Sequence, residues 1–264
     1  MKKILFINQE IAPYVPETDM SILGRDLPYQ MLELGNEVRT FMPKWGTINE
    51  RRGQLHEVIR LSGMNIIVND TDHPLIIKVA SIPTTRLQVY FIDNDEFFMK
   101  RRMNADEHGE DYVDNGERAI FFARGVLETV KKLRWAPDII HCSGWMTAIV
   151  PYYLRTAFKD EPIYANAKIV TYLHGRYIQK DFGDNFIDLI DFKGSKNKAL
   201  SVYDRPFGSK ELGKLSIDYS DAVICAQKNT SKELMKYAKD QGKAILKFTE
   251  DHVAETFAQF YESL

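Results

Sequence analysis

The chain has 264 residues, with 35 Lys and Arg against 37 Asp and Glu and a formal charge of -2. That length can bury a sizeable core, and the near-neutral balance gives no reason to invoke nucleic acid or an anionic membrane surface as a partner. No apolar run reaches transmembrane length, and the opening MKKILFINQE turns polar too soon for a signal peptide. The expected setting is therefore cytoplasmic, with Cys142 and Cys225 as free thiols.

The first element is an apolar run of strand length, residues 3–8, suited to a strand buried on both faces. A loop with Pro13 and Pro16 follows, and Thr18 or Asp19 can then cap a helix in which Ile22, Leu23, Leu27, Met31 and Leu34 form an apolar stripe. Gly35 falls just past that stripe, where a left-handed residue ends a helix. Residues 37–42 then supply a second strand. Strand, loop, helix, strand is the opening unit of a doubly wound α/β domain, whose ligand crevice lies beyond the C-terminal strand ends. The loop 9–18 would face any ligand.

Four short β-rich runs follow, 55–61, 65–68, 75–82 and 87–92, spaced as hairpins or a meander added to the sheet. The polar stretch 101–111 reads as an exposed loop, and 115–133 as a long helix. Strands at 139–142, 168–173, 222–226 and 244–248 then alternate with helices near 147–158, 210–219, 231–240 and from 251 onward. This order predicts a single Rossmann-like, doubly wound, mostly parallel sheet with added β-hairpins and right-handed crossovers.

Several segments carry a resemblance. Glu10-Ile11-Ala12-Pro13-Tyr14, Gly35-Asn36-Glu37-Val38-Arg39 and Met42-Pro43 occur in that order. Further on stand Val89-Tyr90-Phe91-Ile92-Asp93, Asp114-Asn115-Gly116-Glu117-Arg118, Pro137-Asp138-Ile139-Ile140-His141 with Trp145, and His174 with Gln179. Together they resemble the N-terminal domain of bacterial glycogen synthases and plant starch synthases, one half of a GT-B glycosyltransferase. The resemblance implies glucosyl transfer from ADP- or UDP-glucose to an α-1,4-glucan, with His174 and Glu10 as candidate catalytic residues and no cofactor or metal. It also implies a sugar nucleotide and an α-glucan as ligands.

The departures from the family pattern are chemical. Pro16 replaces the lysine of the family's donor loop, and Thr18-Asp19 replace its glycine pair. A cation is lost and a carboxylate gained where a diphosphate would sit. Gly144 stands where the family has an acidic residue. The family's second, nucleotide-holding domain has no counterpart after Ala226. Residues 1–264 are thus expected to form one N-terminal-like domain, with the last helix, about 251–264, packing back on it. A separate C-terminal domain protein or a homo-oligomer would be needed to close the cleft. Activity of the chain alone would be impaired, and a non-catalytic glucan-binding or regulatory homologue is the alternative.

Other features weigh less. Tyr14, Tyr112 and Trp145, with Tyr172 and Tyr177, are candidate sugar-stacking rings, although aromatics at strand ends usually pack. Arg118 beside Glu117 reads as an ion pair at a helix start. Asp93-Asn94-Asp95 matches a short metal triad common by chance. Gly208 to Lys214 has phosphate-loop spacing, but Leu215 replaces the magnesium-binding hydroxyl.

Overall fold

β1 (Lys3–Asn8) leads through a loop to α1 (Asp19–Glu33) and β2 (Glu37–Pro43). After the short α2 (Glu50–Gly53) come β3 (His56–Glu57), β4 (Met64–Val68), β5 (Thr71–Ser81) and β6 (Gln88–Asp93). Then follow α3 (Asp95–Phe98), α4 (Asn115–Leu133), β7 (Ile139–Ser143), α5 (Val150–Arg155), β8 (Lys168–Leu173) and α6 (Phe186–Ile190). The chain closes with α7 (Ser209–Asp218), β9 (Ala222–Cys225), α8 (Lys232–Asp240), β10 (Ala244–Leu246) and α9 (Val253–Glu262). The computed structural model describes every residue except 84, 86, 175–177, 192–197, 227–229, 248 and 250–252, and the side chains of 198 and 199. Tyr177 and the first residues expected of the last helix lie outside the described residues.

The strands lie in the order β10-β9-β8-β7-β1-β2-β6-β5-β3, with β4 paired to β5. From β10 to β6 every neighbour is parallel. β5 runs antiparallel to β6, β3 and β4, so the β-rich segment extends one edge of a Rossmann-like sheet. The two faces follow from the alternation within β1. Leu5 and Ile7 join the core under α4 and α5, while Ile4 and Phe6 pack with Leu27 and Met31 of α1 and with α9. The sheet is therefore covered on both sides, and β1, buried throughout its length beyond Lys3, has no polar face.

α1 begins where a capping box allows it. Ser21 N donates to Thr18 Oγ1 at 3.0 Å and Thr18 N donates to Ser21 Oγ at 2.8 Å. It ends at Gly35, whose φ of +84° suits a residue without Cβ. Its buried face is Ser21, Gly24, Leu27, Pro28 and Met31, so Leu27 and Met31 lie on it as expected while Ile22 and Leu23 are half-buried. Leu34, on the predicted stripe, is 51% exposed at the C-cap, past the last helical residue.

The 101–111 stretch is a loop exposed over 107–110, as expected, and anchored at its end: Asp111 is buried and its carboxylate accepts from the backbone N–H groups of Gln179 and Lys180. Arg118 does not pair with Glu117. It is fully buried, and its guanidinium donates to the carbonyls of Phe97, Arg102 and Met103 and to Asn115 Oδ1. The Asp93-Asn94-Asp95 triad is structural: Lys78 holds Asp93, and Asn94 Oδ1 caps α3 by accepting from Glu96 N and Phe97 N.

α9 lies beside α1 with Phe257 and Tyr261 buried. Phe257 sits among His141, Tyr172 and Tyr261, and the Tyr261 hydroxyl meets His141 Nδ1 at 2.9 Å. Phe257→Ala is expected to cost about 3 kcal/mol, lowering the melting temperature by roughly 6–12 °C in calorimetry. Deleting 251–264 should lower it further, since the apolar floor beneath α9 would then face water.

Candidate functional site

Running outward from the centre, the chain leaves β1 toward β2 on one side, while β7 flanks β1 on the other. The sheet's switch point therefore lies at the heads of β1 and β7, where a ligand crevice is expected. Asn8, Gln9 and Glu10 leave β1 there, Ser143, Gly144 and Trp145 leave β7, and His174 follows β8.

Glu10 is almost buried. Thr18 Oγ1 donates to its Oε2 at 2.7 Å and Gln9 Nε2 donates to its Oε1 at 3.1 Å. The same Thr18 oxygen accepts from Ser21 N, so a single hydroxyl links the N-terminus of α1 to the Glu10 carboxylate. Asp19 adds a second carboxylate in the first turn, where the helix dipole favours negative charge. Pro16 and Thr18 are exposed on the loop. Lys44, just past β2, is taken up by Glu50 at 2.7 Å, and Lys78 bridges Glu50 and Asp93.

His174 is 5% exposed, and its Nε2 lies 3.2 Å from Ser143 Oγ. Its ring meets Tyr172 edge-on, with centroids 4.6 Å apart. Burial pushes its pKa down to about 3, so the imidazole is neutral near pH 7 and brings no positive charge to a ligand. His141, inside β7, is likewise pushed down to about 3, by burial first and then by His174. Both histidines titrate in the unfolded chain near pH 6.5 but stay neutral when folded. The unfolded state therefore binds more protons below that pH, and stability falls as pH falls from about 6.5 toward 3. At pH 5 each histidine is expected to lower stability by about 2 kcal/mol. Denaturant titrations at pH 7.5 and pH 5 check this, and in His141→Gln about half of the acid sensitivity should vanish.

The structure brings Glu10 and Thr18 together, and His174 to Ser143. β8 stands two strands from β1, so Glu10 and His174 follow strands about 10 Å apart at the same edge of the sheet. The rings expected to stack on sugar fare differently. Trp145 is 1% exposed and packs near Phe182, and Tyr14 is 8% exposed and meets Phe91 edge-on, so neither presents a free face. Burial pushes the Tyr14 phenol up to about 12. Tyr112 is half-buried, with the guanidinium carbons of Arg101 and Arg118 at 4.3 Å and 5.0 Å from its centroid. Its ring is held by cations rather than left open. Sequence reasoning missed Gln9 and Ser143, although an apolar strand ending in Asn8-Gln9-Glu10 was the available signal.

A cavity of ≈ 30 Å³ lies behind His174, lined by Gly144, Trp145, Thr171 and Ser216 among others. A larger opening of ≈ 450 Å³ sits farther along the sheet, between the starts of α7 and α8. Its wall carries Asp181, Asp204, Glu211 and Glu233, with Lys210 bound to Glu233 at 2.6 Å. Among the described residues no group of His, Cys, Asp and Glu gathers to hold a metal, and no helix is long and apolar enough to cross a membrane.

A mostly parallel sheet, covered on both faces, defines a Rossmann-like domain of the GT-B glycosyltransferase kind. The sequence profile of the starch synthase catalytic domain matches residues 3–247, and the chain belongs to that family. The glycogen synthase of Chlorobium luteolum is 36% identical over 178 residues, covering 67% of this chain and 36% of that protein. The glycogen synthase of Chlorobaculum parvum is 35% identical over 233 residues, covering 88% of this chain and 47% of that protein. The catalytic domain of starch synthase IV from Arabidopsis thaliana, solved bound to ADP and acarbose, shares the fold with a TM-score of 0.73 at 17% identity. That match covers 94% of this chain and 51% of the plant structure. The chain thus spans about half, or less, of the relatives it matches.

Proposed function

We propose that this chain forms one half of a glucosyl-transferring enzyme of the starch/glycogen synthase kind. In that reaction the bond between glucose C1 and the diphosphate of ADP- or UDP-glucose breaks, a bond to a hydroxyl of an α-1,4-glucan forms, and the nucleoside diphosphate leaves. The observation that carries this reading is the family match over residues 3–247, and the placement of Glu10 after β1 and His174 after β8 supports it. His174 acts as a neutral hydrogen-bonding group, and Glu10 accepts from ligand hydroxyls. Of the three rings only Tyr112 keeps an exposed portion for a glucan to meet, while Tyr14 and Trp145 are buried.

Residues 1–264 act as a single N-terminal-like domain onto which α9 is docked, in the cytoplasm and without nucleic acid or membrane partners. A second, nucleotide-holding body completes the cleft and excludes water from it, so residues 1–264 by themselves are impaired.

The test is transfer of labelled glucose from ADP-glucose and UDP-glucose to glycogen by the purified chain, with a two-domain glycogen synthase alongside. Transfer above background but far below the control is expected, together with retardation of the chain in a glycogen-containing gel. Absence of both transfer and retardation, with the control active, would overturn the reading.

A further inference from the structure

Ser143 ends β7 and stands opposite Tyr172 of the neighbouring β8, two residues before His174. Its backbone is spoken for at this point, since its carbonyl accepts from Gln9 N at 2.9 Å. Its side chain is buried, and the one contact its hydroxyl makes among the described residues is with His174 Nε2 at 3.2 Å. The Tyr172 ring meets the imidazole at an interplanar angle of 86°, which holds the plane in which that contact is made.

A neutral imidazole carries one proton, on Nδ1 or on Nε2, and the partner of one nitrogen decides which. Burial keeps His174 neutral near pH 7, so the choice is between two tautomers. If Nε2 held the proton it would donate to Ser143 Oγ, and the hydroxyl proton would be left in a buried place without an acceptor. If Nε2 is bare, the hydroxyl donates to it and only a lone pair of Oγ goes unused. Buried donors are left unmatched less readily than acceptor lone pairs, so the second arrangement is favoured. The other hydroxyls lining the small cavity beside His174 are committed elsewhere. Tyr172 donates to Ala226 O, Thr147 to Gly144 O and Ser209 to Ile178 O, while Thr171 and Ser216 bond to each other.

We propose that Ser143 is a positioning residue: its hydroxyl donates to His174 Nε2 and pins the imidazole as the Nδ1–H tautomer, so that any proton His174 offers a ligand comes from Nδ1. The kinetic consequence rests on the transfer reading above, whereas the tautomer stands on the geometry of two buried side chains. Ser143 acts through His174 and touches no reacting atom.

Two measurements on the 264-residue chain test this. The first is nitrogen NMR of histidine-labelled protein at pH 7.5, with the His174 signals assigned by their loss in His174→Gln. The wild type should show Nδ1 protonated and Nε2 bare. In Ser143→Ala the two nitrogens should move toward each other as the Nε2–H tautomer becomes populated, and Ser143→Thr, which keeps a hydroxyl, should restore the wild-type pattern. The second is glucosyl transfer to glycogen, where Ser143→Ala should lower kcat about tenfold or more with glucan KM within about twofold, and Ser143→Thr should recover most of the rate. Should threonine fail to pack beside Tyr172, Ser143→Cys, a weaker donor, should fall between wild type and alanine in both measurements. An Nε2–H tautomer in the wild type, or an unaltered pattern in folded Ser143→Ala, overturns the proposal. A changed tautomer with unchanged kcat overturns its kinetic half. Absence of transfer by the wild type counts against the transfer reading, and the nitrogen spectra then decide the role of Ser143 by themselves.

Discussion

Arg118→Met is expected to lower the unfolding free energy by about 4 kcal/mol, roughly 10 °C in melting temperature, with Arg118→Lys recovering less than half of the loss. The guanidinium is fully buried and has no carboxylate partner at hydrogen-bond distance among the described residues. Burial, and then Arg101, push its pKa down to about 9, so it stays charged at neutral pH. Its fork instead satisfies three backbone carbonyls of the 97–103 segment and Asn115 Oδ1 at 2.7–3.0 Å. The rings of Trp45, Phe98 and Tyr112 stand 5.0–5.6 Å from its carbon. Methionine would fill the stem's volume but leave the carbonyls without this donor, each at about 1–3 kcal/mol. Lysine carries three donors on one atom and cannot span acceptors arranged for a planar fork. The damage should reach the crevice as well, because Met103 Sδ accepts from Gln9 and Trp45 Nε1 holds the Gln9 carbonyl. Thermal melts with maltoheptaose titrations would show the two losses together; a melting temperature within a degree or two of wild type would refute the account.

Arg118 also shows where sequence reasoning stops. Its position on a helix was legible, since residues 115–133 carry a clear helical period, but the carbonyls it serves lie 15–21 positions earlier and leave no pattern. The strands were legible for the opposite reason. Lys3–Asn8 and Lys168–Leu173 are short apolar runs whose burial on both faces demands that composition. In α1 the cap was legible at Thr18, where local chemistry decides, and the buried face was legible in part: Leu27 and Met31 lie on it as the spacing predicts, while Ser21, Gly24 and Pro28 share it without counting as an apolar stripe. The same limit applies at the site. Glu10 and His174 could be placed at strand ends from the chain order alone. That Thr18 reaches back to Glu10, and that Gln9 lies under Gly144, depends on loop geometry that no spacing encodes.

These contacts give the altered donor loop a physical content. Replacing a glycine pair by Thr18-Asp19 does more than place a carboxylate near a helix end. The threonine hydroxyl closes the capping box with Ser21 and donates to Glu10, so a carboxylate stands beside the first turn. A helix N-terminus that is already capped and already faces an anion offers little to a diphosphate. The family scaffold is retained around a first loop whose Thr18 and Asp19 are engaged within the protein.

His174→Ala is expected to reduce glucosyl transfer by about 100-fold or more, whether measured on the chain alone or with a completing second domain. The proposed role is hydrogen bonding by a neutral imidazole, since burial holds its pKa near 3 and Ser143 Oγ at 3.2 Å orients the ring. Three consequences separate this from a cationic role. His174→Gln, which keeps a neutral donor and acceptor, should recover about tenfold of the lost rate, whereas His174→Lys should recover none, because an ammonium there would be desolvated without a guaranteed partner. The wild-type rate should show no limb assignable to this histidine between pH 6 and pH 8, where an unperturbed imidazole would titrate. And the loss should fall on kcat rather than on glucan KM, since the proposed role of this imidazole is at the transferring group. Rescue by lysine, or an acid limb near pH 6.5 that disappears in His174→Gln, would show instead that the crevice uses His174 as a charge.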